Sequence, residues 1–320
     1  MSTRHLVDPE LLAALDTFPP AARDEAALDE RRHMLATMLP PRESYRPGDM
    51  VIEDHVAPGP RGAPDVPLIL YRPTGPSGPL PVYLHIHGGG YVFGNAEMCG
   101  PQNVATAAGA QCIVASVDYR LAPDTHAPGS VEDCYAALAW LHAEAETLGV
   151  DRRRIAIGGE SAGGGLAAAL ALLARDRGEY PICFQLLIAP MIDDRTAAAA
   201  HDPGVGEFVW TNESNAYGWH ALLGVEPGSP DVSPYCAAAR AEDLTRLPPT
   251  YIGVGALDLF RDEDIDYASR LLRAGVPTEL HVVPGAYHGF ERCADASLVR
   301  NVTAKRLLAL RRALHPASNR

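Results

Sequence analysis

The sequence predicts an α/β fold, a mostly parallel central sheet with helices on both faces. Three observations predict it. From about residue 50 onward, short apolar runs of strand character alternate with longer runs of helical spacing. One of the short runs, Ile182-Cys183-Phe184-Gln185-Leu186-Leu187-Ile188, is almost continuously apolar, as a strand covered on both faces must be. A glycine-framed turn, Gly159-Glu160-Ser161-Ala162-Gly163, joins the strand-like Arg154-Ile155-Ala156-Ile157-Gly158 to an alanine- and leucine-rich helical run.

Taken in order, residues 1–48 read as amphipathic helices broken by prolines. Asp8-Pro9-Glu10 opens the first, Leu11, Leu12 and Leu15 share one of its faces, and Pro19-Pro20 closes it. A second runs from about Ala21 to Leu39, where Pro40-Pro41 stops it. Residues 51–56 and 67–72 read as paired strands joined by a Gly/Pro loop, and residues 81–87 and 111–117 as two further strands with a helix near 102–108 between them. Residues 130–148 read as a helix, with Ser130 and Asp133 fitting a capping box. After the strand at 182–188 the alternation breaks. Residues 191–235 hold Phe208, Trp210, Tyr217 and Trp219 among polar residues and read as an insertion with a helix over 212–223. Alternation resumes with a strand at 249–254, a helix at 263–274, a strand at 278–283 and a closing helix at 297–314. The expected organisation is therefore residues 1–48 and 191–235 as a helical cap, and residues 49–190 with 236–320 as the sheet-bearing domain. Ligands in open α/β sheets bind at the carboxyl edge, which the cap would cover.

Composition narrows the function. The formal net charge is −13, from 27 basic and 40 acidic residues, so nucleic acid and anionic lipid are poor partners. No stretch reaches about 18 apolar residues, and Leu11-Leu12-Ala13-Ala14-Leu15 is too short for a secretory segment, so a soluble cytoplasmic protein without a membrane span is expected. Of the six cysteines none forms C-x-x-C or pairs with histidine at zinc spacing, and Cys112, Cys134 and Cys183 read as small core residues. The acidic cluster Asp258, Asp262, Asp264, Asp266 lacks the glycine and terminal glutamate of a calcium loop; Asp262 and Glu263 fit a helix N-terminus instead. Neither a metal nor a cofactor is expected.

The chemistry lies in the turns. A strand that turns sharply into a helix at Ser161 exposes its Oγ on a strained backbone, and Gly159 and Gly163 fit where a Cβ would collide. The Ala162 N–H then lies in the first helical turn, without an intrahelical acceptor and at the positive end of the dipole. His87-Gly88-Gly89-Gly90 follows another strand, and its bare backbone suits N–H donation by Gly88 and Gly89 to a developing oxyanion. It lacks the Gly-Lys-Ser/Thr of a phosphate loop and the last glycine of a dinucleotide fingerprint, Phe93 standing there. A serine nucleophile needs a base and the base an orienting acid. His288, in Gly285-Ala286-Tyr287-His288-Gly289-Phe290 after the last strand, and Asp258, after the preceding one, stand where they can reach the turn. His85 reads as a packing residue or a supporting one.

The stretches His87-Gly88-Gly89-Gly90-Tyr91, Asp118-Tyr119-Arg120-Leu121-Ala122-Pro123, Gly159-Glu160-Ser161-Ala162-Gly163-Gly164, Asp258-Leu259-Phe260-Arg261-Asp262-Glu263 and His288-Gly289-Phe290 together resemble the hormone-sensitive-lipase-like esterases of the α/β-hydrolase fold, over about residues 50–320. The resemblance implies Ser161 as nucleophile, His288 as base, Asp258 as its orienting acid, and Gly88, Gly89 and Ala162 as the oxyanion hole. It further implies a helical cap, short- to medium-chain acyl esters as substrates, and a homodimer formed through an edge strand at 278–283. Tyr91, Phe208, Trp210 and Tyr217 are the candidate substrate contacts. Glu160 stands where the family often has Asp or Thr, and Asp258-Leu259-Phe260 where it usually has Asp-Pro-Leu. The same machinery would serve amides, carbonates or an acylated natural product. A non-catalytic small-ligand receptor on this fold would typically lack a triad residue.

Overall fold

The computed structural model describes residues 2–16, 25–75, 77–200 and 202–316. The break expected at Pro19-Pro20 and the start of the second helix near Ala21 lie outside the described residues. Eight strands form one sheet: β1 (Met50–Ala57), β2 (Val66–Pro73), β3 (Leu80–Ile86), β4 (Ile113–Val117), β5 (Val150–Glu160), β6 (Phe184–Ile188), β7 (Thr250–Gly255) and β8 (Thr278–Val283), in the order β1-β2-β4-β3-β5-β6-β7-β8. The pairs β1/β2 and β2/β4 are antiparallel, and every pair from β4 to β8 is parallel.

The helices are α1 (Leu12–Leu15), α2 (Glu25–Met38), α3 (Gly100–Ala110), α4 (Gly129–Ala143), α5 (Ala162–Arg177), α6 (Arg195–Ala198), α7 (Asn212–Leu223), α8 (Arg261–Arg273) and α9 (Ser297–Leu314). Alternate side chains of each strand enter opposite cores. Leu84, Ile86, Ile155 and Ile157 pack with Leu138 of α4, Leu170 of α5 and Leu271 of α8 on one face. Tyr83, Val114, Ala156 and Leu186 pack with Val104 of α3 and Leu310 of α9 on the other. Strands β3, β4, β6 and β7 are buried throughout, which is why their sequences are largely apolar rather than alternating.

Two local expectations need correcting. Ser130 does not cap α4: the helix begins at Gly129, its N-cap is Pro128, and no side chain caps it. Asp133 instead turns to Arg120, accepting from its backbone N–H at 3.0 Å, Nε at 2.8 Å and Nη2 at 2.7 Å, which fixes the loop after β4. The Asp8-Pro9-Glu10 start gives a 3-10 turn, Pro9–Leu11, capped by the Asp8 carboxylate on Glu10 N–H, before the four-residue α1.

The N-terminal segment and the 191–235 segment both reach the carboxyl edge of the sheet. The Asp8 N–H donates to Gly285 O (3.0 Å) and Tyr287 Oη donates to Leu11 O (3.0 Å), both in the loop after β8. Arg32 of α2 donates to Val92 O and Ala122 O, each at 2.8 Å, in the loops after β3 and β4. From the other segment, Leu222 O accepts from Ala127 N–H at 2.8 Å.

Candidate active site

The strand order reverses around β3, with β4 on one side and β5 on the other, and the site lies where this switch leaves a crevice at the carboxyl ends. β5 ends at Glu160 and α5 begins at Ala162, so the whole change of direction falls on Ser161, at φ 57° and ψ −122°. This is a strained conformation for a residue with a Cβ. Three backbone hydrogen bonds hold it: Ser161 N–H to Ile188 O (2.8 Å), and Met191 N–H and Gly165 N–H to Ser161 O (3.0 Å each). The glycines on either side are sterically required. A Cβ on Gly159 or on Gly163 would lie 2.0 Å from Ile86 O.

Ser161 Oγ is 3.0 Å from His288 Nε2, and His288 Nδ1 is 2.8 Å from Asp258 Oδ2. Asp258 Oδ1 accepts the Phe260 N–H at 3.0 Å, which fixes the carboxylate plane. All three side chains are buried, Asp258 almost completely. Burial alone would lower the His288 pKa. The Asp258 charge and hydrogen bond, helped by Glu291, outweigh it, and the imidazole is held above its ordinary value. The ring of Phe260 meets His288 edge-on at 5.2 Å and Trp210 lies 6.3 Å away, so aromatic rings flank the base.

The glycine loop after β3 sits against this chain. A Cβ on Gly88 would lie 2.8 Å from Glu160 O and 3.3 Å from Ser161 Cβ. Gly89 (φ 126°) and Gly90 (φ 59°) take left-handed conformations that other residues rarely adopt. The loop is braced from behind by His87. Burial lowers its pKa to about 4, so it is neutral, its Nδ1–H donates to Gly88 O at 2.8 Å, and its ring stacks on Tyr119 at 4.3 Å. Ala162, the first residue of α5, is fully buried. The backbones of Gly88 and Ala162 thus flank Ser161, and Gly89 follows Gly88 in the same loop.

The candidate substrate contacts separate. Trp210 faces the site, its ring packed over Gly90, where a Cβ would meet Cη2 at 2.1 Å. Phe208 packs edge-on against Tyr287 at 6.0 Å, and Tyr217 packs partly buried against the large core. Tyr91 departs from expectation: it is 1% exposed, donates through Oη to Met191 O at 2.6 Å, and packs on Trp219 at 5.2 Å. It supports the turn after β6 from inside the core.

Glu263 and the Glu160–His85 pair, near the site, have partners that the sequence does not show. Glu263, expected to favour the α8 N-terminus, is buried, which pushes its pKa well above the ordinary range; it accepts from Ile192 N–H (2.9 Å), Asp193 N–H (3.2 Å) and the Thr196 hydroxyl. It therefore ties the start of the 191–235 segment to the helix behind Asp258. No sequence signal separates it from an ordinary first-turn glutamate. Glu160 and His85 form a pair, Oε2 to Nε2 at 3.0 Å. Burial opposes charge on His85, but Glu160 and Cys99 together outweigh it and hold the pKa at about 10. The four aspartates do not converge: Asp258 turns to His288, Asp262 to Arg261, Asp264 into the interior, and Asp266 lies 4.0 Å from Arg270.

Comparison with known proteins agrees with this geometry. The alpha/beta hydrolase fold family matches residues 83–292. The chain is 36% identical over 312 residues to carboxylesterase NlhH of Mycobacterium tuberculosis, covering 97% of each chain. Among solved structures it is similar to a bacterial heroin esterase (TM-score 0.91, 43% identity, 98% of this chain and 99% of that one). It is also similar to esterase LipW of Mycobacterium marinum (TM-score 0.86, 33% identity, 98% of each chain). With the sheet, the serine turn and the glycine loop in place, the chain belongs to the α/β-hydrolase fold family, in its hormone-sensitive-lipase-like class.

Proposed function

We propose that this chain is a serine carboxylesterase. The observation that carries the reading is the unbroken chain Ser161 Oγ–His288 Nε2 (3.0 Å) and His288 Nδ1–Asp258 Oδ2 (2.8 Å) at a strained turn beside a glycine loop. Esterase names among relatives that span nearly the whole chain support it. Ser161 attacks the ester carbonyl as His288 takes its proton. The oxyanion is received by N–H groups of Gly88, Gly89 and Ala162, each such donor being worth about 3–4 kcal/mol of barrier. His288 then protonates the leaving alcohol, and water releases the acyl group by the reverse route. No residue outside the triad and these N–H groups is needed for the proton balance.

Residues 1–48 and 191–235 act as the cap, and residues 49–190 with 236–320 as the catalytic domain. The support is the set of bonds from Asp8, Leu11, Arg32 and Leu222 to loops at the carboxyl edge. Trp210, from the cap, limits the space above Gly90 and favours short- to medium-chain acyl groups. Homodimerisation is proposed through β8, the last strand of the sheet, which has β7 on one side only. Among the described residues no helix is long and apolar enough to cross a membrane.

The test is hydrolysis of p-nitrophenyl esters over a range of acyl lengths, with Ser161→Ala as control. Turnover should peak on short chains and fall by at least about a thousandfold in the variant. Retention of activity in Ser161→Ala within about tenfold would overturn the nucleophile assignment, and a preference for long acyl chains would overturn the pocket reading. Failure of a fluorophosphonate to label Ser161 would favour a ligand-binding role.

A further inference from the structure

We propose that His85, Cys99 and Glu160 form a binding site for a zinc-like divalent cation, beside the triad and independent of it. The site goes beyond the esterase reading and does not depend on it. Sheet topology brings the three residues together. His85 lies near the end of β3 and Glu160 ends β5, and Cys99 immediately precedes α3, the helix covering that face. One ligand atom from each lies within 4.8 Å of the other two.

The ligand set is chemically specific. Thiolate, imidazole and carboxylate with a fourth position open to water is a zinc-type set, whereas magnesium and calcium prefer oxygen alone. Two light-atom ligands on a tetrahedral zinc stand about 3.4 Å apart, close to the 3.0 Å between His85 Nε2 and Glu160 Oε2. The sulfur need move only on the order of an ångström, within reach of side-chain rotation.

The imidazole is also oriented as metal-binding histidines are. Its Nδ1 lies 3.2 Å from Ser116 Oγ, and that hydroxyl donates onward to Ala96 O at 3.1 Å. Asn103 Nδ2 also lies 3.4 Å from Nδ1, so two side chains fix the ring and leave Nε2 directed at the other ligands. An entry path exists, because the Glu160 side chain is 43% exposed while that of His85 is 3% exposed. On binding, the thiol proton and the proton shared by His85 and Glu160 pass to water. The thiolate and carboxylate then balance the cation's two charges. The ion would tie the N-terminus of α3 to β3 and β5, the strands whose following turns carry Gly88 and Ser161.

The test is titration of the chelator-treated full-length protein with Co²⁺. Wild type should develop a near-ultraviolet thiolate-to-cobalt band that saturates at one equivalent, and Zn²⁺ should displace the cobalt and raise Tm. Cys99→Ser, close in shape, should lose both the band and the Tm rise. Glu160→Gln keeps the thiol and should keep the band, with affinity weaker by about tenfold or more. Absence of the band in wild type, its persistence in Cys99→Ser, or unchanged affinity in Glu160→Gln would each overturn the site. None of these readouts depends on ester hydrolysis.

Discussion

Replacing Asp258 by Asn should disable the base while leaving the fold intact, and the structure gives the reason and the size. Asp258 accepts two hydrogen bonds, Phe260 N–H on Oδ1 and His288 Nδ1 on Oδ2. An amide has only one accepting oxygen. If that oxygen faces His288, the NH₂ faces the Phe260 N–H, donor against donor, in a site 1% exposed. An unmet buried donor costs about 1–3 kcal/mol, so the favoured amide keeps its oxygen on Phe260 and points NH₂ at Nδ1. His288 must then accept at Nδ1 and carry its proton on Nε2, the atom facing Ser161 Oγ. A protonated Nε2 cannot take the serine proton. The expected loss in kcat is roughly 10³- to 10⁴-fold, or about 4–5.5 kcal/mol of barrier. The assay is p-nitrophenyl acetate turnover, with Tm as a check on folding. A folded Asp258→Asn protein within about tenfold of wild type would refute the orienting role of Asp258.

The pH profile should follow His288. The base works only when neutral and Asp258 holds its pKa above the ordinary value, so activity should rise with pH with a midpoint above about 6.5. A midpoint well below that value, or a flat rate from acid to alkaline pH, would contradict it. Gly90→Ala sets a Cβ against Trp210 at φ 59°, so Tm should drop and esterase turnover with it, at a cost of about 1–3 kcal/mol. Adding Trp210→Ala should recover part of that loss, and strictly additive effects in the double variant would show that the ring is not the obstacle. Arg240→Ala should cost about 3–5 kcal/mol by denaturant unfolding. It strips the partner from Asp194, which is fully buried and accepts from Arg240 Nε (2.6 Å), Nη2 (2.8 Å) and Gly228 N–H (2.7 Å). A loss below about 1 kcal/mol would place that pair among surface ion pairs of little worth.

What was legible in the sequence is what local chemistry dictates. Strands such as Phe184–Ile188 declare themselves because burial on both faces demands apolar residues throughout. Helices α7 and α9 match their expected bounds because their spacing and end signals are local. The serine turn was legible because Gly159 and Gly163 have no alternative where a Cβ would meet Ile86 O at 2.0 Å. Residues whose partners are distant in sequence were not legible. Asp133 looked like a cap and serves Arg120; Glu263 looked like a helix-end charge and holds residues 192–196. Tyr91 carries a hydroxyl that suits a substrate contact, but the packing of Trp219 and the carbonyl of Met191 claim it. Side chains of this kind are placed by the meeting of separate segments, and no periodicity records that.

The strained turn supplies a sharper test of the site than loss of activity does. Ser161 at φ 57° and ψ −122° stores about 1–3 kcal/mol relative to relaxed backbone. Three backbone hydrogen bonds to Ile188, Met191 and Gly165 oppose relaxation, each contributing about 0.5–1.5 kcal/mol. Ser161→Ala and Ser161→Gly both remove the hydroxyl and its bond to His288, so the difference between them isolates the backbone. At an ordinary position glycine is the less stable of the two by about 0.5–1 kcal/mol, because its unfolded chain is freer. Here glycine also releases the strain, which alanine retains through its Cβ. The balance favours Ser161→Gly over Ser161→Ala by about 1 kcal/mol, a reversal of the usual order, measurable by denaturant unfolding of the two inactive proteins. If alanine proved the more stable, the turn would be relaxed, and the approach of Oγ to His288 Nε2 would have to come from the packing of the surrounding loops rather than from backbone held under strain for reaction.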